Sequence, residues 1–284
     1  MTQPVTATYR AEQTGVVLGV NTLLDHDTFT SDLPRPVSAL AVGAHPDDIE
    51  FGCCATLAKW AEEGTRVHHV VLTDGSRGAW EVHQDRRALA VMRETEQQAA
   101  AQALVGNNST GVTFLRRVDG ELREDDETRS ELVRVIRTFQ PEVILGHDPW
   151  RRYRLHPDHR HAGFLLTDAI VAARDPLYAT ESGLRHHRPR ALLLWEADEP
   201  NHVEDAAVGA VRKLQALLQH RSQYPSTMGI PADTPPLEPD DDRAQAFCES
   251  VRATMRAHGA LAHGPGREVA GSGLGEAFRR LDDI

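Results

Sequence analysis

Short apolar runs alternate along the chain with longer amphipathic segments. The apolar runs are typical of buried strands, and the amphipathic segments are typical of helices that pack on a sheet. The runs predict strands at residues 37–44, 66–74, 111–115, 142–148 and 190–198. Each is followed by a predicted helix, at residues 54–64, 87–105, 127–139, 161–173 and 208–223. This order predicts an α/β fold, a Rossmann-like parallel-sheet sandwich with helices on both faces.

The chain is expected to form a single domain, because 284 residues can bury one large core. Residues 1–36 lack a clear pattern and predict an irregular N-terminal extension, so the domain is expected to cover residues 37–284. Within it, the proline and acidic residues of 231–242 predict a surface loop. Residues 243–259 then predict a C-terminal helix.

Composition narrows the classes of partner. The formal net charge of −11, without a basic run, argues against nucleic-acid binding. No uninterrupted apolar segment is long enough to span a membrane. The three cysteines, two of them adjacent, do not form a disulfide framework, which favours a reducing compartment. We therefore expect a cytoplasmic protein that acts on a small molecule, and the sequence leaves a homo-oligomer open.

Two polar clusters follow predicted strands directly. The first strand ends at His45, Pro46, Asp47 and Asp48, and the fourth strand leads into residues 147–163, which are rich in His, Asp and Arg. In open parallel sheets, ligands bind beyond the carboxyl ends of the strands. The two clusters are therefore expected to meet at that edge and to form the active site.

The residue types of the two clusters suit a metal-dependent hydrolase. His45 and Asp48 are three residues apart, as are His156 and His159. A catalytic zinc takes about three protein ligands and leaves a position for water, so one His of the second pair would complete the set. Asp47 and the other His would then serve as proton acceptor and as donor to the developing oxyanion, as amide hydrolysis requires. Spacing alone leaves open which His is the ligand.

Other interpretations of these clusters exist. Each cluster by itself could simply be a turn with a capped helix. A metal-binding or sensing module without catalysis would retain the ligands but would not need Asp47 and a second His. A metal phosphoesterase would need a second metal and more carboxylate ligands. The chain lacks HExxH, GxSxG and a GxGxxG after the first strand, which argues against a zincin protease, a serine hydrolase and a dinucleotide-binding enzyme.

At these residues the chain resembles the PIG-L / LmbE-like family of zinc-dependent N-deacetylases. The resemblance covers most of residues 38–225. It rests on AHPDDIEFG (44–52), LTDGSRG (72–78), Arg93 with Glu96, LRRVDGEL (115–122), HDP (147–149), HPDHRHAG (156–163) and EPNHVED (199–205). One departure is that the family's A-H-P-D-D-E pattern has Glu where this chain has Ile49, with Glu50 following.

The resemblance implies a role for each matching residue. The zinc ligands would be His45, Asp48 and His159, and the general base would be Asp47. His156 would stabilise the oxyanion or protonate the leaving amine, and Asp158 would tune it. Arg93 and Asp119 match positions that face the sugar in relatives. Arg154 and His202 are also expected to bind substrate, because they lie in predicted loops at the same edge of the sheet as the metal. Arg154 stands where mycothiol-type relatives have Tyr, so the pocket is expected to differ from theirs.

The implied reaction is removal of an N-acetyl group from an N-acetylglucosamine-type sugar or a sugar-containing small molecule. The family also implies an alternative, an amidase that cuts larger acyl groups. Loops at the same edge offer further candidates for substrate contact, including Arg77 and Trp80. The arginines at 151, 152 and 154 add the hypothesis of an anionic sugar, because guanidinium groups bind phosphate and carboxylate well.

Overall fold

The structure of the chain is a computed structural model that describes residues 29–262 and 273–284. Its strands are β1 Thr30–Ser31, β2 Ser38–Gly43, β3 Arg66–Thr73, β4 Ser109–Arg117, β5 Val143–His147, β6 Ala191–Trp195, β7 His202–Asp205 and β8 Gly275–Asp282. Its α-helices are α1 Asp48–Glu62, α2 Arg86–Val105, α3 Asp126–Phe139, α4 Pro157–Arg174, α5 Ala210–Leu217 and α6 Gln245–Ala262. The strands form one sheet in the order β1-β7-β8-β6-β5-β2-β3-β4.

The predicted α/β sandwich is confirmed. The five predicted strands correspond to β2 through β6, and all the pairs among them are parallel. Alternate residues of β2 face opposite sides, as the strand period requires. Ala39 and Ala41 pack with residues of α1 and α2, whereas Leu40 and Val42 pack with residues of α3 and α4. Helices therefore cover both faces of the sheet.

The part of the sheet beyond β6, formed by β8, β7 and β1, differs from the prediction. Strand β8 lies between β6 and β7 and runs antiparallel to both, and neither β7 nor β8 was expected. Within the predicted extension, residues 1–28 lie outside the described residues, but β1 pairs in parallel with β7. Thr30 and Ser31 of the predicted extension thus belong to the sheet, and the boundaries of the domain stay a prediction. Residues 231–242 contain neither helix nor strand, and α6 begins at Gln245.

The carboxyl edge of the parallel strands carries the polar clusters. His45 to Asp47 form the short turn between β2 and α1, and His147 is the last residue of β5. Helix α4 begins with Pro157 in its first turn, where the missing N–H of proline costs nothing, and His156 directly precedes it. No described helix is long and apolar enough to cross a membrane.

Candidate active site

Three of the predicted site residues bring donor atoms to one point. His45 Nδ1 lies 3.2 Å from His159 Nε2 and 3.3 Å from Asp48 Oδ2. His159 Nε2 lies 3.2 Å from the other carboxylate oxygen of Asp48. Two turns from different parts of the sequence therefore meet as expected for the ends of neighbouring parallel strands. The donor atoms of these three residues lie in pairs 3.2–3.3 Å apart, and their role as metal ligands stays a prediction.

The outer nitrogen of His45 is held by two carboxylates. Its Nε2 lies 3.1 Å from Asp158 Oδ2 and 3.3 Å from Asp119 Oδ1. Because a carboxylate only accepts hydrogen bonds, the proton of a neutral His45 belongs on Nε2, and Nδ1 is left with a lone pair facing Asp48 and His159. This carboxylate–histidine arrangement is the usual support of a metal-binding imidazole.

The same carboxylates prepare His45 to bind a cation. Burial disfavours a charge on the ring, but the hydrogen bonds to Asp119, Asp158 and Asp48 outweigh it and raise the pKa of His45 well above its ordinary value. Burial likewise disfavours the charged form of Asp119, yet its hydrogen bond to His45 lowers its pKa to about 2. The site thus carries negative charge that a proton or a metal ion can neutralise.

Asp158 has different partners from those expected. It was predicted to tune His156, but its carboxylate accepts hydrogen bonds from His45 and from the backbone N–H groups of Gly120 and Leu122. Its effect on His156 is through charge: burial and the neighbouring His45 and His159 lower the pKa of His156, and the charge of Asp158 opposes that change.

His156 lies exposed beside the donor atoms. Its ring stacks on His159 with a centroid distance of 4.8 Å. It meets the edge of His45 at 4.7 Å. With His45 and His159 it forms one of the groups that could hold a metal. His159, not His156, makes the contact with Asp48, which supports the predicted order of the two.

Asp48 is oriented by a histidine that the sequence prediction left out. His147 Nε2 lies 3.1 Å from Asp48 Oδ2, and the backbone N–H of His45 donates to the same oxygen at 2.7 Å. Trp195 Nε1 donates to His147 Nδ1 at 3.0 Å. An indole N–H only donates, so this contact favours the tautomer of His147 with the proton on Nε2. The backbone N–H of Ala44, 3.4 Å from Nε2, favours the other tautomer. The shorter contacts therefore favour a hydrogen-bond donor directed at Asp48.

A second group of possible metal ligands shares these residues. Asp48, His147 and His159 also lie close enough to hold an ion, and His147 could bind it through Nε2 only in the tautomer without a proton on that nitrogen. His147 and His159 lower the pKa of Asp48 well below its ordinary value, although burial works in the opposite direction. Asp48 is thus a carboxylate ready to bind a metal, and His147 fixes its orientation.

Asp47 is buried beside the donor atoms in an unusual backbone conformation. Its φ of 105° lies in the left-handed region that few non-glycine residues adopt, and it is the N-cap residue of α1. Burial raises the pKa of Asp47 to about 6, a change that Arg93 opposes and the charge of Asp48 increases. A carboxylate with such a pKa can accept a proton near neutral pH.

Two of the four predicted substrate residues lie within this cluster and are already engaged. Arg93 is buried, donates to the carbonyl oxygens of Gly75 and Pro46, and lies 3.2 Å from Asp47 Oδ2. Asp119 contacts His45 and accepts the backbone N–H of Arg77 at 2.9 Å. Both therefore support the turn that carries the predicted base and ligands.

The other two predicted substrate residues are placed elsewhere. Arg154 lies behind the histidines, with Nη2 at 3.0 Å from His147 Nδ1 and 2.6 Å from His159 Nδ1, and it pairs with Glu196. His202 is fully buried in β7, where its ring nitrogens contact Thr30 at 2.7 Å and Glu204 at 2.8 Å. It is part of the sheet and not of the site.

Arg154 also affects which nitrogen of His159 carries a proton. A guanidinium only donates, so its contact favours the tautomer of His159 with the proton on Nε2. Binding a metal through Nε2 requires the other tautomer, and Arg154 would then have to turn towards Glu196 alone. Sequence reasoning assigned no role to His147, Trp195 or Glu196; their signal was that each lies close to the carboxyl end of a predicted strand, 142–148 or 190–198.

The arginines of the loop after β5 are paired with acids of this chain. Arg151 lies 3.3 Å from Glu196, and Arg152 lies 3.2 Å from Asp198.

Nearby loops leave several apolar side chains exposed at the same edge of the sheet. They are Trp80, Val82, Val118, Trp150, Tyr153 and Leu155.

The chain is similar to known proteins in sequence and in fold. The family model described as PIG-L, GlcNAc-PI de-N-acetylase, matches residues 40–170. The diacetylchitobiose deacetylase of Thermococcus kodakarensis is 35% identical over 189 residues, 66% of this chain and 70% of that relative. The 1D-myo-inositol 2-acetamido-2-deoxy-alpha-D-glucopyranoside deacetylase of Thermobispora bispora is 29% identical over 276 residues, 82% of this chain and 85% of that relative.

A solved structure extends the likeness to the fold. The N,N'-diacetylchitobiose deacetylase from Pyrococcus horikoshii, determined in complex with its inhibitor MPG, superposes with a TM-score of 0.71 at 27% identity. The match covers 87% of this chain and 84% of that one.

Proposed function

Because the chain belongs to the PIG-L family of N-deacetylases, we propose that it hydrolyses the N-acetyl group of an N-acetylglucosamine-type sugar or a small molecule that contains one. The observation that carries the proposal is the convergence of His45 Nδ1, Asp48 and His159 Nε2 next to the buried carboxylate of Asp47. Two relatives, by their names, deacetylate N-acetylated sugars.

Zinc is the proposed metal, and the donor set fits it. Ligand atoms about 2.0–2.1 Å from a tetrahedral zinc lie about 3.3 Å from one another. The two imidazole nitrogens are 3.2 Å apart, which matches that value. Each nitrogen lies 3.2–3.3 Å from a different oxygen of Asp48. Two imidazoles and one carboxylate are also a usual set for catalytic zinc. When bound there, zinc lowers the pKa of water towards about 7 and polarises the acetyl carbonyl.

Asp47 and His156 are proposed to carry out the proton transfers of the reaction. We assign Asp47 as the base, because its raised pKa allows it to accept the proton of the attacking water and to release it later. His156, exposed at the mouth, is assigned to stabilise the oxyanion or to protonate the leaving amine. Asp158 and Asp119 favour its protonated form by charge. A metal-binding module without catalysis would not need either Asp47 or His156.

A neutral sugar is the preferred substrate. Arg151 and Arg154 share Glu196, and Arg152 pairs with Asp198, so acids of this chain offset two of the three positive charges. The second candidate is an amidase that cuts a larger acyl group. The exposed apolar side chains beside the site, such as Trp80 and Leu155, favour that alternative, because they could contact an acyl chain.

The test is a substrate panel assayed for equal release of acid and primary amine. It contains N-acetylglucosamine, N,N'-diacetylchitobiose, N-acetylglucosamine phosphate and N-octanoylglucosamine, each with metal-free and zinc-loaded protein. We expect acetate and amine from the neutral N-acetyl sugars only when zinc is present. Release from the octanoyl compound alone would support the amidase, and an advantage for the phosphate at low salt would support an anionic substrate. No release from any compound by zinc-loaded protein would contradict the proposal.

A further inference from the structure

A chain of buried polar side chains lies behind Asp47, on the side away from the donor atoms. It consists of Gln97 on α2, Glu50 on α1 and His220 after α5, and all three side chains are fully buried. Buried polar groups are costly unless they are hydrogen-bonded. We therefore expect the buried carboxyl group of Glu50 and the buried imidazole of His220 to have a role beyond packing.

One peptide unit connects this chain to the site. Gln97 Oε1 accepts the backbone N–H of Asp47 at 3.0 Å, and Arg93 donates to the carbonyl oxygen of Pro46. The peptide between Pro46 and Asp47 is thus held through both its N–H and its C=O. Residues 93 and 97 are four apart on α2 and so project from the same face of the helix, which makes them a two-point clamp.

The hydrogen-bond polarity fixes the side-chain amide of Gln97 in one orientation. The N–H of Asp47 can only donate, so the amide oxygen must face it. The amide nitrogen then donates to Glu50 Oε1 at 2.7 Å. The second oxygen of Glu50 lies 3.4 Å from His220 Nε2. Reversing the amide would place two donors together at Asp47 and two acceptors together at Glu50.

We propose that Gln97 is a positioning residue for the base, holding Asp47 in its left-handed backbone conformation, while Glu50, which lies beside His220, accepts a hydrogen bond from the amide of Gln97 and fixes its orientation. The inference rests on the proposed function, in which Asp47 takes a proton from water. Left-handed φ values at non-glycine residues persist only where surrounding contacts impose them. Without the clamp the turn relaxes, and a displacement of about 1 Å at a catalytic group can cost about 10²-fold in rate.

The test compares Gln97→Met, Gln97→Glu and the exchange variant Glu50→Gln/Gln97→Glu. Methionine keeps the volume but makes no hydrogen bond, and glutamate cannot donate to Glu50. The exchange variant restores the full pattern, because the amide introduced at position 50 would donate to the carboxylate introduced at position 97. That carboxylate would still accept the backbone N–H of Asp47. We expect kcat to fall about 10- to 100-fold in both single variants with KM and zinc content unchanged, and to recover in the exchange variant.

Thr56→Val is the matched control. Thr56 is a fully buried residue of the same helix as Glu50, and its hydroxyl donates to Glu276 at 2.6 Å, away from Asp47. Loss of the Thr56 hydroxyl group is expected to lower the free energy of unfolding and to leave kcat unchanged. Unchanged kcat in Gln97→Met, or an equal loss in the exchange variant and the single variants, would overturn the proposal. If Gln97→Met does not fold, Gln97→Glu and its rescue still decide it.

A crystal structure of the Gln97→Met protein gives an answer that does not depend on activity. We expect Asp47 to leave φ near 105° and its carboxylate to move away from Arg93. If wild-type protein releases no amine from any substrate, the proposed function fails, and this structure still tests the positioning role. An unmoved Asp47 would overturn that role by itself.

Discussion

His147→Leu is expected to weaken metal binding without abolishing it. The substitution removes the hydrogen bond from Nε2 to Asp48, 3.1 Å long in the structure, and leaves the three proposed ligands in place. A hydrogen bond to a charged group contributes about 1.5–3 kcal/mol. At about 1.4 kcal/mol for each factor of ten, the zinc Kd should rise roughly 10- to 100-fold.

The assay is a zinc titration in competition with a chelating indicator dye at constant pH. His147→Gln is the control, because its amide nitrogen can still donate to Asp48, and its Kd should lie near that of the wild type. His45→Ala provides the reference for loss of a ligand. A Kd for His147→Leu equal to that of the wild type would refute the orienting role. Loss of binding as complete as in His45→Ala would instead make His147 a ligand.

Three further predictions concern the base and two buried charges. Asp47→Ala should leave zinc bound and lower turnover by about 10² or more; loss of the metal would mean that base and ligand have been exchanged. Lys213→Met removes the partner of buried Glu276, 2.6 Å away. It should lower the free energy of unfolding, measured by urea denaturation, by about 3–5 kcal/mol, and a change under about 1 kcal/mol would contradict this. Burial lowers the pKa of His69 to about 4, so the unfolded chain binds a proton that the folded chain excludes. Between pH 6.5 and 4, the free energy of unfolding should therefore fall by about 3 kcal/mol more in the wild type than in His69→Gln. Parallel profiles of unfolding free energy against pH would refute this.

The parallel half of the fold follows from local sequence patterns. Strands β2 to β6 are apolar runs, each followed by a helix, and both signals lie within a few residues of one another. The meeting of His45 and Asp48 with His159 was also predictable, because the carboxyl ends of parallel strands share one edge. These features depend on short-range order and on a general rule of topology.

The rest depends on contacts distant in sequence. Strand β8 pairs with β6 and β7, from which helices α5 and α6 separate it along the chain, and nothing in its own sequence indicates those partners. His202 was expected in a loop, whereas β6 ends at Trp195 and His202 begins another strand. Asp158 was expected to tune His156, and its hydrogen bonds to His45, Gly120 and Leu122 could be found only in the structure. His147 was predicted near the end of a buried strand, and its contact with Asp48 likewise depends on the fold.

The decisive experiment is a zinc titration of metal-free protein in which amine release and bound zinc are followed in the same samples. We predict that deacetylation of an N-acetylglucosamine-type sugar rises in proportion to bound zinc and saturates at one ion per chain, held by His45, Asp48 and His159. Full activity without metal, or activity that begins only with a second ion per chain, would contradict a single-zinc deacetylase.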